Sequence, residues 1–170
     1  MGKAPPTRKV NGEFIKSPTF SWETINNIYV PAYEKHGDPV VNKCLDPLLT
    51  ENINNRMEEI LKTKGYKLAS YSDANYFLSI IYWSDEKELE YTYKHEKYSF
   101  NTTYMRMQIE ILVPSKLSKK TYAITKDDIK LFRYIGVTVY DDKETRLDAY
   151  YRLIDDFAKY VPDKTIKSEE

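Results

Sequence analysis

The 170-residue chain carries 26 basic and 26 acidic side chains, a formal net charge of zero. A nucleic-acid binder or a polybasic membrane attachment needs a basic excess, so the balance argues against both. No run approaches the roughly 18–20 apolar residues of a membrane span, and the single Cys44 rules out an intrachain disulfide.

Residues 1–18 are polar, contain Pro5, Pro6, Gly12 and Pro18, and show no periodicity, so they read as a flexible leader. The opening Met1-Gly2-Lys3-Ala4-Pro5-Pro6 lacks the apolar centre of a secretory signal and the myristoylation pattern. A single α+β domain is expected over residues 19–162, and residues 163–170 read as a disordered tail. Residues 19–22 and 27–30 are short strand candidates, the second stopped by Pro31. A loop with Gly37 and Pro39 follows.

Leu45, Leu48, Leu49, Ile53, Met57, Ile60 and Leu61 then form one apolar stripe at helical period. Asp46-Pro47 supplies an N-cap followed by proline at the first helical position, and Gly65 a left-handed stop. The spacing therefore predicts a helix over 46–64. Residues 66–71 read as a short strand, 72–75 as a turn and 76–83 as a central strand rich in β-branched and aromatic residues.

Residues 90–100 and 103–113 are two further strands, with Asn101-Thr102 as the expected turn between them. In the second, Met105, Met107, Ile109, Ile111 and Val113 alternate with Arg106, Gln108 and Glu110, the pattern of a sheet with one buried face. A charged turn is expected at 115–120, an edge strand at 121–125, and a strand at 130–140 with Gly136 at a bulge. The last element is a helix over 142–160 carrying Leu147, Tyr150, Tyr151, Ile154 and Phe157 on one stripe, opened by an Asp141/Glu144 capping box and ended by Pro162. The expected fold class is α+β: an antiparallel-dominated or mixed sheet with both helices packed on one face.

Chemistry finds little support. His36 and His95 are the only histidines, and no HxxxH or CxxC spacing exists for a metal. His95 and Glu96 are neighbours on a strand and point to opposite faces. Cys44 and His36 could be paired as nucleophile and base only by proximity in sequence, and a semi-buried thiol ahead of a helix is the favoured reading. The paired acids Asp127-Asp128, Asp141-Asp142 and Asp155-Asp156 do not converge. Five scattered glycines make no phosphate loop. No catalytic residue, cofactor or metal is therefore assigned.

Sixteen tyrosines are the distinctive feature. Residues 91–100 interleave aromatics with charge, and Tyr91, Tyr93, Tyr98 and Tyr104 are the candidate partner-binding residues. Strand alternation through this segment puts Tyr91, Tyr93 and His95 on one side, Tyr98 and Phe100 on the other.

The order of a helix ending Lys64-Gly65-Tyr66, a short strand, Asp73-Ala74-Asn75-Tyr76 and a long apolar strand resembles a family of small Gram-negative envelope lipoproteins, DUF4136. Phe20-Ser21-Trp22 stands near that family's opening motif, and Val161-Pro162 near its closing one. The plasmid-encoded surface-exclusion and complement-resistance lipoproteins are similar in element order, more weakly. The resemblance implies a two-layer domain tethered to a membrane by an N-terminal lipid, on the periplasmic side of the outer membrane, without catalysis. Cys44 lies within the domain and cannot bear that lipid; Met1 would then replace the lipidated cysteine. The expected function is a non-enzymatic envelope scaffold or adaptor that binds a protein, a glycan or another copy of itself. The alternative is a cytoplasmic enzyme or small-ligand binder using Cys44 and His36.

Overall fold

Three antiparallel and two parallel strand pairings build the sheet of the computed structural model, which describes residues 9–35, 46–121, 124–141 and 143–165. In chain order the described residues form β1 (Asn11–Lys16), a 3-10 turn at Trp22–Thr24, β2 (Ile28–Tyr29), β3 (Ala32–Glu34), α1 (Pro47–Thr63), β4 (Tyr76–Tyr93), β5 (Glu96–Val113), α2 (Lys116–Thr121), β6 (Ile129–Tyr140) and α3 (Arg146–Ala158). The sheet order is β1-β6-β5-β4-β2, with β3 also paired to β4. It is an α+β fold with a mixed, mostly antiparallel sheet.

The two long helices form where their stripes predict. Asp46 accepts from the Leu49 amide at the start of α1, and Gly65 (φ 90°) ends it. α3 starts at Thr145, whose hydroxyl accepts from the Asp148 amide while Asp148 returns a bond to the Thr145 amide. That reciprocal cap replaces the expected Asp141/Glu144 box; Asp141 and Glu144 instead close the turn before it. Leu49, Ile53, Met57 and Leu61 of α1 and Ala149, Leu153, Ile154 and Phe157 of α3 share one buried cluster with Leu78, Ile80 and Tyr82 of β4 and Met105, Met107, Ile109 and Ile111 of β5. Both helices thus cover the same face. On the other face a smaller cluster of Ala74, Phe77 and Leu112 is covered by Tyr29 and Tyr71, and Tyr71 donates to the Ser118 carbonyl of α2.

Several elements differ from expectation. Residues 11–16, read as leader, form the edge strand β1. It pairs with β6 from Asn11↔Val137 to Lys16↔Phe132, and Phe14 packs on Phe132 and stacks on Tyr160 at 4.9 Å. One aromatic anchor and backbone pairing suffice where hydropathy gives no signal. Residues 163–165 of the expected tail are likewise engaged. Lys164 donates its amide to the Lys64 carbonyl at 2.7 Å, and its ammonium to the Ile25 carbonyl over the Tyr66 ring.

Residues 66–71 make only a single parallel bridge, Leu68 with Ile28. Residues 19–22 lead into the 3-10 turn rather than a strand, because the Ser21 side chain accepts from the Glu23 amide. Residues 115–120 are largely helical, and 122–123 of the expected edge strand fall outside the described residues. The loop at 32–43 begins instead with β3, held by Arg146 on the buried Glu34 at 2.9 Å.

Gly136 is not at the bulge, which lies at the Ile111/Leu112 shift against β6. It faces Gly12, and the Tyr134 ring lies across both; a Cβ at Gly136 would come within 2.5 Å of Tyr134 Oη. That hydroxyl donates to Asp156 of α3 at 2.7 Å.

Lys64-Gly65-Tyr66 acquires a clear purpose. The Lys64 ammonium donates to the Ala158 carbonyl at the end of α3 and to the Val161 carbonyl in the turn just after it, a cation placed at the negative end of the helix. Tyr66 donates to the Pro162 carbonyl at 2.9 Å. The motif is a clasp between the two helix ends.

Leu49→Asp or Phe157→Asp puts a carboxylate into the shared core, and each is expected to cost more than about 4 kcal/mol, abolishing cooperative thermal unfolding. Burial pushes the Tyr66 and Tyr150 phenols up to about 12 and Tyr134 upward too, from an ordinary value of 10. A raised phenol contributes stability fully below pH 10, where both states are protonated. Above it the unfolded chain ionises before the folded one, so stability is lost as pH rises from 10 towards 12. The midpoint of unfolding should be flat from pH 7 to 9 and fall above 10, with these three phenols still protonated in the folded state near pH 10; their ionisation there in the folded state, read by ultraviolet absorbance, would contradict this.

Candidate interaction surface

β4 and β5 outrun the rest of the sheet. Their pairing continues without interruption from Phe77↔Leu112 to Tyr93↔Glu96, whereas β5 leaves β6 at Thr103↔Tyr140 and β4 leaves β3 at Glu34↔Tyr82. Beyond Glu86↔Thr103 the two strands project as a ribbon, an arm roughly 25 Å long at about 3.3 Å per residue. The expected turn at Asn101-Thr102 is instead part of β5. The chain reverses at Lys94-His95, with φ of 49° and 68°, the doubly left-handed geometry that a two-residue hairpin turn demands.

Moving the turn changes which side chains meet. Directly paired residues of an antiparallel ribbon share a face, and the pairs are Leu89↔Phe100, Tyr91↔Tyr98 and Tyr93↔Glu96. Tyr91, Tyr93, Tyr98 and Phe100 therefore stand together, correcting the two-sided arrangement read from continuous alternation. Tyr91 stacks on Tyr98 with centroids 5.3 Å apart and meets Phe100 edge-on at 5.8 Å. Lys94 lies 5.4 Å over the Tyr93 ring at the tip. Leu89 and Phe100 complete the face and were not among the candidates; cross-strand pairing, which depends on the turn, was the missing signal.

Tyr104 has a different role. It sits half-buried at the base of the arm, flanked by Lys87 and Arg106, and Arg106 pairs with Asp85 at 2.6 Å. The opposite face of the arm carries Glu86, Glu88 and Glu90 in one row. The arm is thus apolar on one side and acidic on the other. Tyr98 donates to Glu96 at 2.8 Å, and this bond raises its phenol.

Elsewhere, a shallow depression of about 350 Å³ lies between β2–β3 and the first turns of α1, lined by Tyr29, Pro31, Tyr33, Thr50 and Asn54. Two of its polar side chains hold α1 to the sheet: Asn54 donates to the Val30 carbonyl, and Thr50 shares a hydrogen bond with Tyr82. Asp128 is tied up in the loop after α2. Burial raises its carboxyl, but bonds from Ser118, the Ser115 amide and the Thr125 amide outweigh that and hold it below the usual range. Cys44 and His36 lie outside the described residues, and His95 is exposed at the arm's turn. Among the described residues no group of three or more His, Cys, Asp or Glu converges on a metal position, and no helix is long and apolar enough to cross a membrane.

The architecture, a mixed six-stranded sheet with two long helices on one face, defines the class: a two-layer α+β domain. No family model matches the sequence, and no curated protein matches it. Among solved structures, the chain is similar to a DUF4136 family protein from Bacteroides thetaiotaomicron at 12% identity and a TM-score of 0.57, over 91% of this chain and 98% of that one. A PelC dodecamer from Paraburkholderia phytofirmans is similar at 10% identity and a TM-score of 0.51, over 92% and 99%. A PDZ domain protein from Parabacteroides distasonis contains the same fold in 37% of its length, at 15% identity and a TM-score of 0.53 over 95% of this chain. At these identities the likeness is one of fold, at the level the Lys64-Gly65-Tyr66 and Asp73-Ala74-Asn75-Tyr76 motifs implied.

Holding Lys94 and His95 left-handed costs about 1 kcal/mol each. Lys94→Asn with His95→Gly, residues suited to such a turn, is expected to slow amide exchange across the arm several-fold and leave core amides unchanged. Unchanged arm exchange would place the turn elsewhere.

Proposed function

We propose that this protein is a non-enzymatic scaffold or adaptor of the bacterial cell envelope, tethered by an N-terminal lipid and engaging its partner through the aromatic face of the arm. The observation that carries this reading is the arm itself: a ribbon extending beyond the sheet, with tyrosines, Leu89 and Phe100 gathered on one exposed face. A contiguous apolar patch of this kind is a feature of interaction sites. Tyrosine supplies amphipathic contact area at low rotamer cost.

The envelope setting is supported by the fold likeness to a DUF4136 protein together with the resemblance of Lys64-Gly65-Tyr66 and Asp73-Ala74-Asn75-Tyr76 to motifs of that lipoprotein family. Asn54, Thr50 and Asp128 are committed to structural bonds, in keeping with a binding role. The assembly of PelC as a dodecamer is in keeping with self-association as one form that binding takes. Zero net charge makes aromatic packing, rather than long-range steering, the source of affinity.

Tyr91→Ala with Tyr93→Ala is expected to lower capture of partner from an envelope extract at least several-fold at unchanged unfolding temperature. Capture by the unaltered protein should change less than about twofold between low and moderate salt. Undiminished capture by the folded variant would put the interface elsewhere, and a steep salt dependence would point to charge.

A further inference from the structure

We infer that the aromatic face of the arm packs against the same face of a second copy of this chain, the two arms antiparallel about a two-fold axis; this rests on the arm being the interaction surface proposed above. Leu89, Tyr91, Tyr93, Tyr98 and Phe100 are between 37% and 58% exposed. With about 150–250 Å² offered by each aromatic side chain, the exposed fractions leave roughly 450 Å² per arm. Two such faces with their rims come to about 1,000 Å², the lower limit for a specific interface. The area therefore suffices for a weak dimer.

The ends of the face decide the orientation. Along one face of the arm, from base to tip, stand the pairs Lys87↔Thr102, Leu89↔Phe100, Tyr91↔Tyr98 and Tyr93↔Glu96. The apolar pairs are thus bounded by a cation at the base and a carboxylate at the tip. Antiparallel stacking about the centre brings each Lys87 level with the partner's Glu96, beside the Tyr93 ring that Lys94 already covers, a cation beside a carboxylate, twice over. Parallel stacking would bring the two lysines to one level and the two carboxylates to another. Such an isologous contact is self-complementary and closes at two. The reverse face is less suited, since the same antiparallel stacking would set Glu88 of each arm against Glu90 of the other, twice over, and that face carries no aromatic side chain.

Sedimentation velocity on the full chain over a micromolar to millimolar series tests this. The unaltered protein is expected to pass from monomer to dimer with rising concentration. Lys87→Glu alone, and Glu96→Lys alone, should each weaken association about tenfold or more through like-charge contacts. The two single variants mixed in equal amounts should associate again, because each then supplies the charge the other lacks. A monomer throughout the series, a dimer untouched by Tyr91→Ala with Tyr93→Ala, or single variants that stay apart when mixed would each overturn the inference. A monomer whose Tyr91/Tyr93 variant still loses capture from extract would retain the arm as interaction surface while removing the second copy as its occupant.

Discussion

The uninterrupted pairing of β4 with β5 sets the rest of the molecule. At one end it delivers Leu78, Ile80 and Tyr82 with Met107, Ile109 and Ile111 to the helices; at the other it gathers Leu89, Tyr91, Tyr98 and Phe100 on the arm. Both outcomes depend on register, because a slip of one residue turns every side chain to the opposite face. Two left-handed residues at the turn and the apolar face turned to the helices fix that register from both ends. Core and arm are consequences of one alignment.

The helices were legible in the sequence because each carries a complete set of local signals: a stripe, a cap and a stop. Strand positions were legible where burial alternates, as from Met105 to Ile111. What escaped was structure made by pairing alone. β1 holds one packed aromatic among polar residues, and its partner lies about 120 residues further on, so no local window contains its cause. The arm's turn escaped because Lys94-His95 has neither glycine nor asparagine, while Asn101-Thr102 imitates a turn and sits in mid-strand. Of the candidate tyrosines, Tyr91, Tyr93 and Tyr98 are exposed and Tyr104 is half-buried; the first three, read on two faces from alternation, are joined on one by the pairing.

The motif that suggested a relationship is structural in its contacts. Lys64, Gly65 and Tyr66 bind the end of α1 to the end of α3 and to residues 162–164. Gly65 is required by its positive φ, and by Lys164 and Thr165 lying against the position a Cβ would occupy. A motif with this duty travels with a fold and carries no chemistry.

The polarity of β1 has a geometric consequence for anchoring. Asn11 lies opposite Val137, near the end of β6 where Tyr140 meets Thr103, so the chain enters the sheet at the end from which the arm departs. Whatever precedes that strand in the chain therefore pulls on the arm's root rather than on the far end of the domain. In a crossed-arm pair each chain would enter its sheet beside the root of its own arm.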